Sequence, residues 1–128
     1  MDPISNMLSA INNAQKVGHE FIEAPFSKVK FELAKILQKA NFVESADKAK
    51  AAGHEILRLK LKYSDGAPAI SGLKRISKPG CRIYIGVEKI RPIKQGYGKI
   101  IISTSRGLML GEAAKRNKLG GEVICEIW

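Results

Sequence analysis

Apolar side chains recur at helical spacing twice near the start of the chain. Ile4, Met7, Leu8, Ile11 and Ala14 form one stripe, which fits a single buried helix face. Asp2-Pro3 supplies a start signal, an acceptor at the N-cap and proline in the first turn. The pattern ends near Val17-Gly18. Residues 20–24 read as a short extended piece before Pro25. Ser27 then caps a second helix whose inner face carries Val29, Leu33, Ile36, Leu37 and Ala40.

The period then changes from helical to alternating. Phe42-Val43-Glu44 predicts a short strand, and residues 47–53, rich in Ala and Lys, read as a mobile loop. Leu57, Leu59, Leu61 and Tyr63 alternate with Arg58, Lys60 and Lys62, the pattern of a strand with one apolar and one basic face. Asp65-Gly66 is a tight-turn dipeptide, so residues 69–77 are expected to return as the hairpin partner. The first lobe, residues 1–77, is thus expected to be two helices on a three-stranded antiparallel sheet.

Lys78-Pro79-Gly80 marks a boundary, with proline and glycine placed as a type II turn requires. Beyond it, residues 82–85 predict a short strand, a Pro- and Gly-bearing connection covers 91–98, and residues 99–103 predict a strand. Its three successive isoleucines, Ile100, Ile101 and Ile102, imply burial on both faces. Residues 112–117 predict a short helix, Gly120-Gly121 punctuates, and residues 122–128 predict the last strand. The second lobe, 78–128, is therefore a β-rich unit with one short helix, and the fold class is α+β.

Composition narrows the function. The 128 residues are 45% hydrophobic, enough for small cores and too many for a disordered chain. No apolar run approaches bilayer length, and the acidic start lacks the features of a signal peptide, so a cytoplasmic location is expected. Cys81 and Cys125 form no disulfide framework. With His19 and His54 they offer no close ligand pair for zinc, so no metal is expected. The net charge is +10. Residues 1–50 carry seven Lys/Arg against six Asp/Glu, and residues 51–128 carry fifteen against six. That asymmetry points to a polyanionic partner, nucleic acid first and an anionic membrane second.

The most unusual stretch is Ser103-Thr104-Ser105-Arg106-Gly107. Hydroxyls donate to and accept from phosphates, 2′-OH groups and base edges, and arginine adds a forked donor. On residue types alone it is either such a contact or a plain polar turn between strand and helix. Tyr84 and Tyr97 lie among cations, where rings can stack on bases, and Tyr84 beside Arg82 is the better placed. Trp128 is expected in the core. Glu122 could accept from a base amino group or orient a neighbouring donor. No constellation of acid, base and stabiliser is assembled: both histidines lie in the first lobe, and Gly96-Tyr97-Gly98 lacks the spacing and lysine of a phosphate loop. No enzymatic activity, cofactor or small-molecule substrate is expected.

Four segments together resemble one known family along the whole chain. They are residues 2–8, the helix start Ser27-Lys28-Val29-Lys30, the run Lys78-Pro79-Gly80-Cys81-Arg82-Ile83-Tyr84, and residues 98–107 with Leu119-Gly120-Gly121-Glu122-Val123-Ile124-Cys125. In order, they are similar to bacterial small-subunit ribosomal protein number eight. The resemblance implies a non-enzymatic protein of the small ribosomal subunit that binds the central domain of 16S ribosomal RNA, beside other small-subunit proteins. It implies recognition of an irregular RNA helix through Ser103, Thr104, Ser105, Arg106 and Gly107. Tyr84, Glu122, Gly121, Arg82 and Lys78 are expected nearby, and backbone contacts from Ser27, Lys28 and Lys30. In several bacteria the family also represses its own operon by binding the messenger RNA. The alternative is a general nucleic-acid coat protein. Two departures stand out: Ser9-Ala10-Ile11-Asn12-Asn13 replaces the family's usual arginines, and Leu108-Met109-Leu110-Gly111 replaces its usual capping residues.

Overall fold

The computed structural model describes residues 3–91 and 98–128. The N-cap role read for Asp2 and the Gly96-Tyr97 pair lie outside the described residues. The chain forms two compact units, Met1–Ile70 and Ser71–Trp128.

In the first unit, helix α1 (Pro3–Lys16) buries Ile4, Met7, Leu8, Ile11 and Ala14, the whole stripe read from the sequence. It closes with Gly18 at φ 74°, as His19 N–H donates to Ala14 O and Gly18 N–H to Gln15 O. That paired geometry is a Schellman motif, which needs a left-handed residue at its hinge. After strand β1 (Phe21–Pro25), Ser27 caps helix α2 (Lys28–Lys39), its hydroxyl accepting from Lys30 N–H. Leu33, Ala34 and Leu37 are buried along α2. Asn41, at φ 66°, closes α2 in the way Gly18 closes α1.

The sheet of this unit is antiparallel in the order β1-β3-β2, with β2 at Val43–Ala51 and β3 at His54–Leu61. Its membership corrects two expectations. Residues 47–53 are not a loop: β2 pairs with β3 from Val43↔Leu61 to Ala51↔His54, turning on Ala52 and Gly53 at φ 51° and 81°. Both central residues at positive φ are what a two-residue hairpin loop of the tightest kind needs. The third strand is β1, paired from Phe21↔Lys60 to Pro25↔Ile56, and not residues 69–77. Asp65-Gly66 does turn the chain, but only from β4 (Tyr63–Ser64) into β5 (Ala67–Pro68). Pro68 has no N–H with which to extend a ladder.

Leu57, Leu59 and Leu61 of β3 are buried, while Arg58 between them is exposed and Lys60 half-buried. The face they occupy is not simply basic. Arg58 pairs with Glu23, and Lys60 lies 3.3 Å from Glu44 and 3.7 Å from Glu20. Hydrogen bonding and attraction from Glu44, then attraction from Glu20, raise the Lys60 pKa above its usual value. The half-exposed Phe21 ring lies beneath both cations, 5.9 Å from the guanidinium and 6.0 Å from the ammonium.

The second unit is built on β10 (Gly121–Ile127), which has neighbours on both sides. On one side lies β8 (Lys99–Thr104), followed by edge strand β9 (Gly107–Leu110). On the other, β6 (Leu73–Arg75) and β7 (Tyr84–Ile85) pair with successive halves of β10. Residues 73–75 therefore belong to this sheet, from Leu73↔Ile127 to Arg75↔Cys125. Ile101 and Ile102 are both fully buried, one on each face of β8. Ile90, Ile102 and the Ala114 of helix α3 (Gly111–Arg116) make one core, with Ile85, Val87, Ile100 and Met109 packed on it. Leu110 precedes α3 without any side-chain cap and is half-buried. Trp128 packs on Gly72, where an added Cβ would fall 2.3 Å from an indole carbon. Burial pushes the Cys125 thiol from 9.0 up to about 12.

Candidate nucleic-acid interface

The register of the second sheet assembles the site. β10 places Glu122 opposite Ser103 of β8 on one side and opposite Tyr84 of β7 on the other. Directly opposed residues point to the same face, so Ser103, Glu122 and Tyr84 form one row across three strands. Tyr84 is 70% exposed, an unusually open position for an aromatic ring. A register shift between Val123 and Cys125 separates this end of β10 from the end paired with β6. Bulges of this kind re-aim side chains at the rim of a sheet.

Gly121 lets the strands meet here. A Cβ built on it would lie 2.1 Å from Ser103 O, closer than any side chain permits. Gly120 is similarly confined, 2.5 Å from Ile85 O. The Gly-Gly pair thus fits the close approach of β10 to β8 and β7.

At the far end of β8 the chain turns through Ser105 and Arg106 directly into β9, with Thr104 opposite Gly107. The stretch is therefore a hairpin tip between two strands, not a turn between strand and helix. Its three hydroxyls have different roles. Thr104 Oγ1 donates to Gly107 O at 2.9 Å and accepts from Arg106 N–H at 3.1 Å, closing the loop on itself. Gly107 takes φ 106°, which a side chain resists. Ser105 and Arg106 are left exposed at the tip.

Arg82 Nη1 lies 3.1 Å from Glu122 Oε2. The carboxylate side is only 14% exposed and the guanidinium 53%, so Glu122 acts as a seat that orients a cation. Lys78 is exposed on the adjoining hairpin, where Lys78 and Cys81 exchange two backbone hydrogen bonds of 2.9 Å. Gly80 does not take positive φ, so the expected type II turn is not formed. Pro79 sets the first dihedral for a type I turn equally well.

Ser27, Lys28 and Lys30 lie in the other unit, at the start of α2. The Ser27 hydroxyl is occupied by the cap, and the Lys30 ammonium donates to Pro25 O at 3.0 Å. Lys28 is the exposed member of the three. The sequence reading missed Ser77, which is fully buried beneath the Lys78 hairpin. Its signal was slight, one serine ahead of a lysine-proline-glycine turn.

Among the described residues, no three His, Cys, Asp or Glu side chains gather where they could hold a metal ion, and no helix is long and apolar enough to cross a membrane. The exposed Ser105 hydroxyl and half-buried Ser103, a seated guanidinium, an exposed lysine and an open ring can bind phosphates, bond to sugar and base edges, and stack. The chain is thus a two-unit α+β protein whose second unit presents a cationic, donor-rich surface. Residues 2–128 match the family model described as Ribosomal protein S8. The protein named small ribosomal subunit protein uS8 of Nitratidesulfovibrio vulgaris (strain DP4) is 47% identical over 127 residues, covering 99% of this chain and 98% of that one. Those of Acidobacterium capsulatum and Clostridioides difficile are 41% and 42% identical, each covering 99% of this chain and 97% of the relative. The chain belongs to the Ribosomal protein S8 family, and so to the structural ribosomal proteins rather than the enzymes.

Proposed function

We propose that this small-subunit ribosomal protein binds the central domain of 16S ribosomal RNA directly and fixes one irregular helix of it during assembly. The carrying observation is the in-register row of Ser103, Glu122 and Tyr84 beside the exposed Ser105-Arg106 tip. A regular A-form helix hides its base edges in a deep groove. A distorted one opens them to Ser103, to Ser105 and to the ring of Tyr84. Glu122 contributes by holding Arg82 toward the RNA backbone, with Gly121 keeping the strands close enough for the row to form. Lys78, Arg106 and, from the first unit, Lys28 supply salt-sensitive attraction to phosphates, whereas Ser27 and Lys30 keep the start of α2 in shape. The protein works on the cytoplasmic ribosome, with ribosomal RNA and neighbouring small-subunit proteins as partners. The same surface would take a copy of the RNA shape on its own operon's messenger.

Binding to a central-domain 16S fragment, a fully paired RNA duplex and a DNA duplex of equal length, at low and physiological salt, tests the proposal. A preference for the fragment that persists at physiological salt is expected. Equal binding to all three, collapsing together with salt, would instead mean a general nucleic-acid coat protein.

A further inference from the structure

We propose that Ser77 is the positioning residue of the cationic hairpin that carries Lys78 and Arg82. The proposal rests on the reading of that hairpin as an RNA contact. Ser77 is the one polar residue fully buried among the described residues. Its hydroxyl makes two bonds to a single residue six positions later. Oγ accepts from Ile83 N–H at 2.9 Å and donates to Ile83 O at 3.1 Å.

That pair substitutes for a missing rung. Above Ser77 the hairpin closes, among the described residues, with the Lys78–Cys81 bridge. Below it the two stems part, because each bonds to β10: Ile76 N–H donates to Ile124 O and Ser77 N–H to Val123 O, while Val123 N–H donates to Ile83 O. Across the gap, among the described residues, the stems are joined by the Ser77 hydroxyl. Both stems thus hang from Val123, next to Glu122, which grips the Arg82 guanidinium. Backbone and side chain of Arg82 are held from one point on β10. Without the hydroxyl, Ile83 N–H loses its partner, and among the described residues the Lys78–Cys81 bridge is what still joins the two stems to each other. Preorganised cations bind phosphate more tightly than mobile ones, since less ordering is needed on contact.

Affinity for a central-domain 16S fragment is to be measured for the wild type, Ser77→Ala, the Lys78→Ala/Arg82→Ala pair, and all three changes together, with thermal unfolding of each. Ser77→Ala is expected to weaken binding about tenfold, equivalent to about 1.4 kcal/mol. In the background lacking Lys78 and Arg82 the same change is expected to cost less than about twofold, because its effect passes through those cations. A merely structural serine would cost the same in both backgrounds, and that result overturns the proposal. So does wild-type binding by Ser77→Ala when the Lys78/Arg82 pair is itself impaired. If the Lys78→Ala/Arg82→Ala pair binds like wild type, the hairpin is no contact and the underlying reading falls with the inference. Should Ser77→Ala not fold, Ser77→Cys keeps the side chain's shape, with a somewhat larger atom and a weaker hydrogen-bonding group. Faster amide exchange at Ile83 together with weakened, hairpin-dependent binding supports the proposal, and faster exchange with unchanged binding refutes it.

Discussion

The cations on the central strand of the first unit and those around the hairpins of the second are handled in opposite ways. Residues 1–70 carry ten Lys/Arg against eight Asp/Glu, and residues 71–128 carry twelve against four. In the first unit the cations of β3 face carboxylates on both neighbouring strands, so Arg58 and Lys60 are neutralised in place. In the second, Glu122 is used to seat Arg82, and no ion pair among the described residues holds Lys78 or Arg106. A basic strand is therefore not by itself a polyanion site. What its cross-strand neighbours carry decides whether the charge is available.

The comparison can be broken first at the glycines. Gly121→Ala must force a Cβ into Ser103 O at 2.1 Å and is expected to destabilise the second unit by at least about 3 kcal/mol. The single tryptophan, Trp128, lies in that unit, so its fluorescence in denaturant reads the loss. Gly53→Ala in the first unit meets open space, though at φ 81°, and should cost only about 1–2 kcal/mol. Equal losses at the two positions would remove the special role given to the β8–β10 approach.

Ser105→Ala is expected to cost about 1–3 kcal/mol on the irregular RNA and little on a regular duplex. A uniform loss on both would mean that Ser105 only adds general affinity. Cys125 sharpens the contrast by pH. Its thiol ionises at 9.0 when unfolded but near 12 in the buried site, so its contribution to stability is intact below pH 9. It falls as pH rises from there, by about 1.4 kcal/mol per unit. Denaturant titrations of Cys125→Val should lack that part of the alkaline slope, and an unchanged slope would place the titration elsewhere. The smallest effect is expected at Arg58→Ala. Both partners of its ion pair are about half exposed, so stability should change by less than about 1 kcal/mol and RNA affinity hardly at all. A marked loss of affinity would make the outer sheet face of the first unit an RNA surface.

Much of the frame was legible in the residues. The α1 stripe, the Ser27 cap and the doubly buried isoleucines follow from local spacing and chemistry, which the fold left intact. The long β2 was not legible, because Asp47-Lys48-Ala49-Lys50-Ala51 has little strand propensity and is held by pairing with β3. Its turn was hidden because alanine rarely takes the positive φ seen at Ala52. The partner of residues 73–75 lies some fifty positions away on β10, beyond any local pattern. At the site, the Ser105-Arg106 tip announced itself through composition. The seating of Arg82 on Glu122 was one of two open readings that geometry separates. Ser77 was silent, since a buried serine and a loop serine look alike until their partners are known.

Amide hydrogen exchange of the full chain with and without the central-domain RNA fragment tests the central claim most directly. Protection is expected at residues 78–84, 103–107 and 121–122, with strands β1 and β3 of the first unit unchanged. Protection concentrated on β1 and β3, with the second unit exchanging as in the free protein, would contradict it.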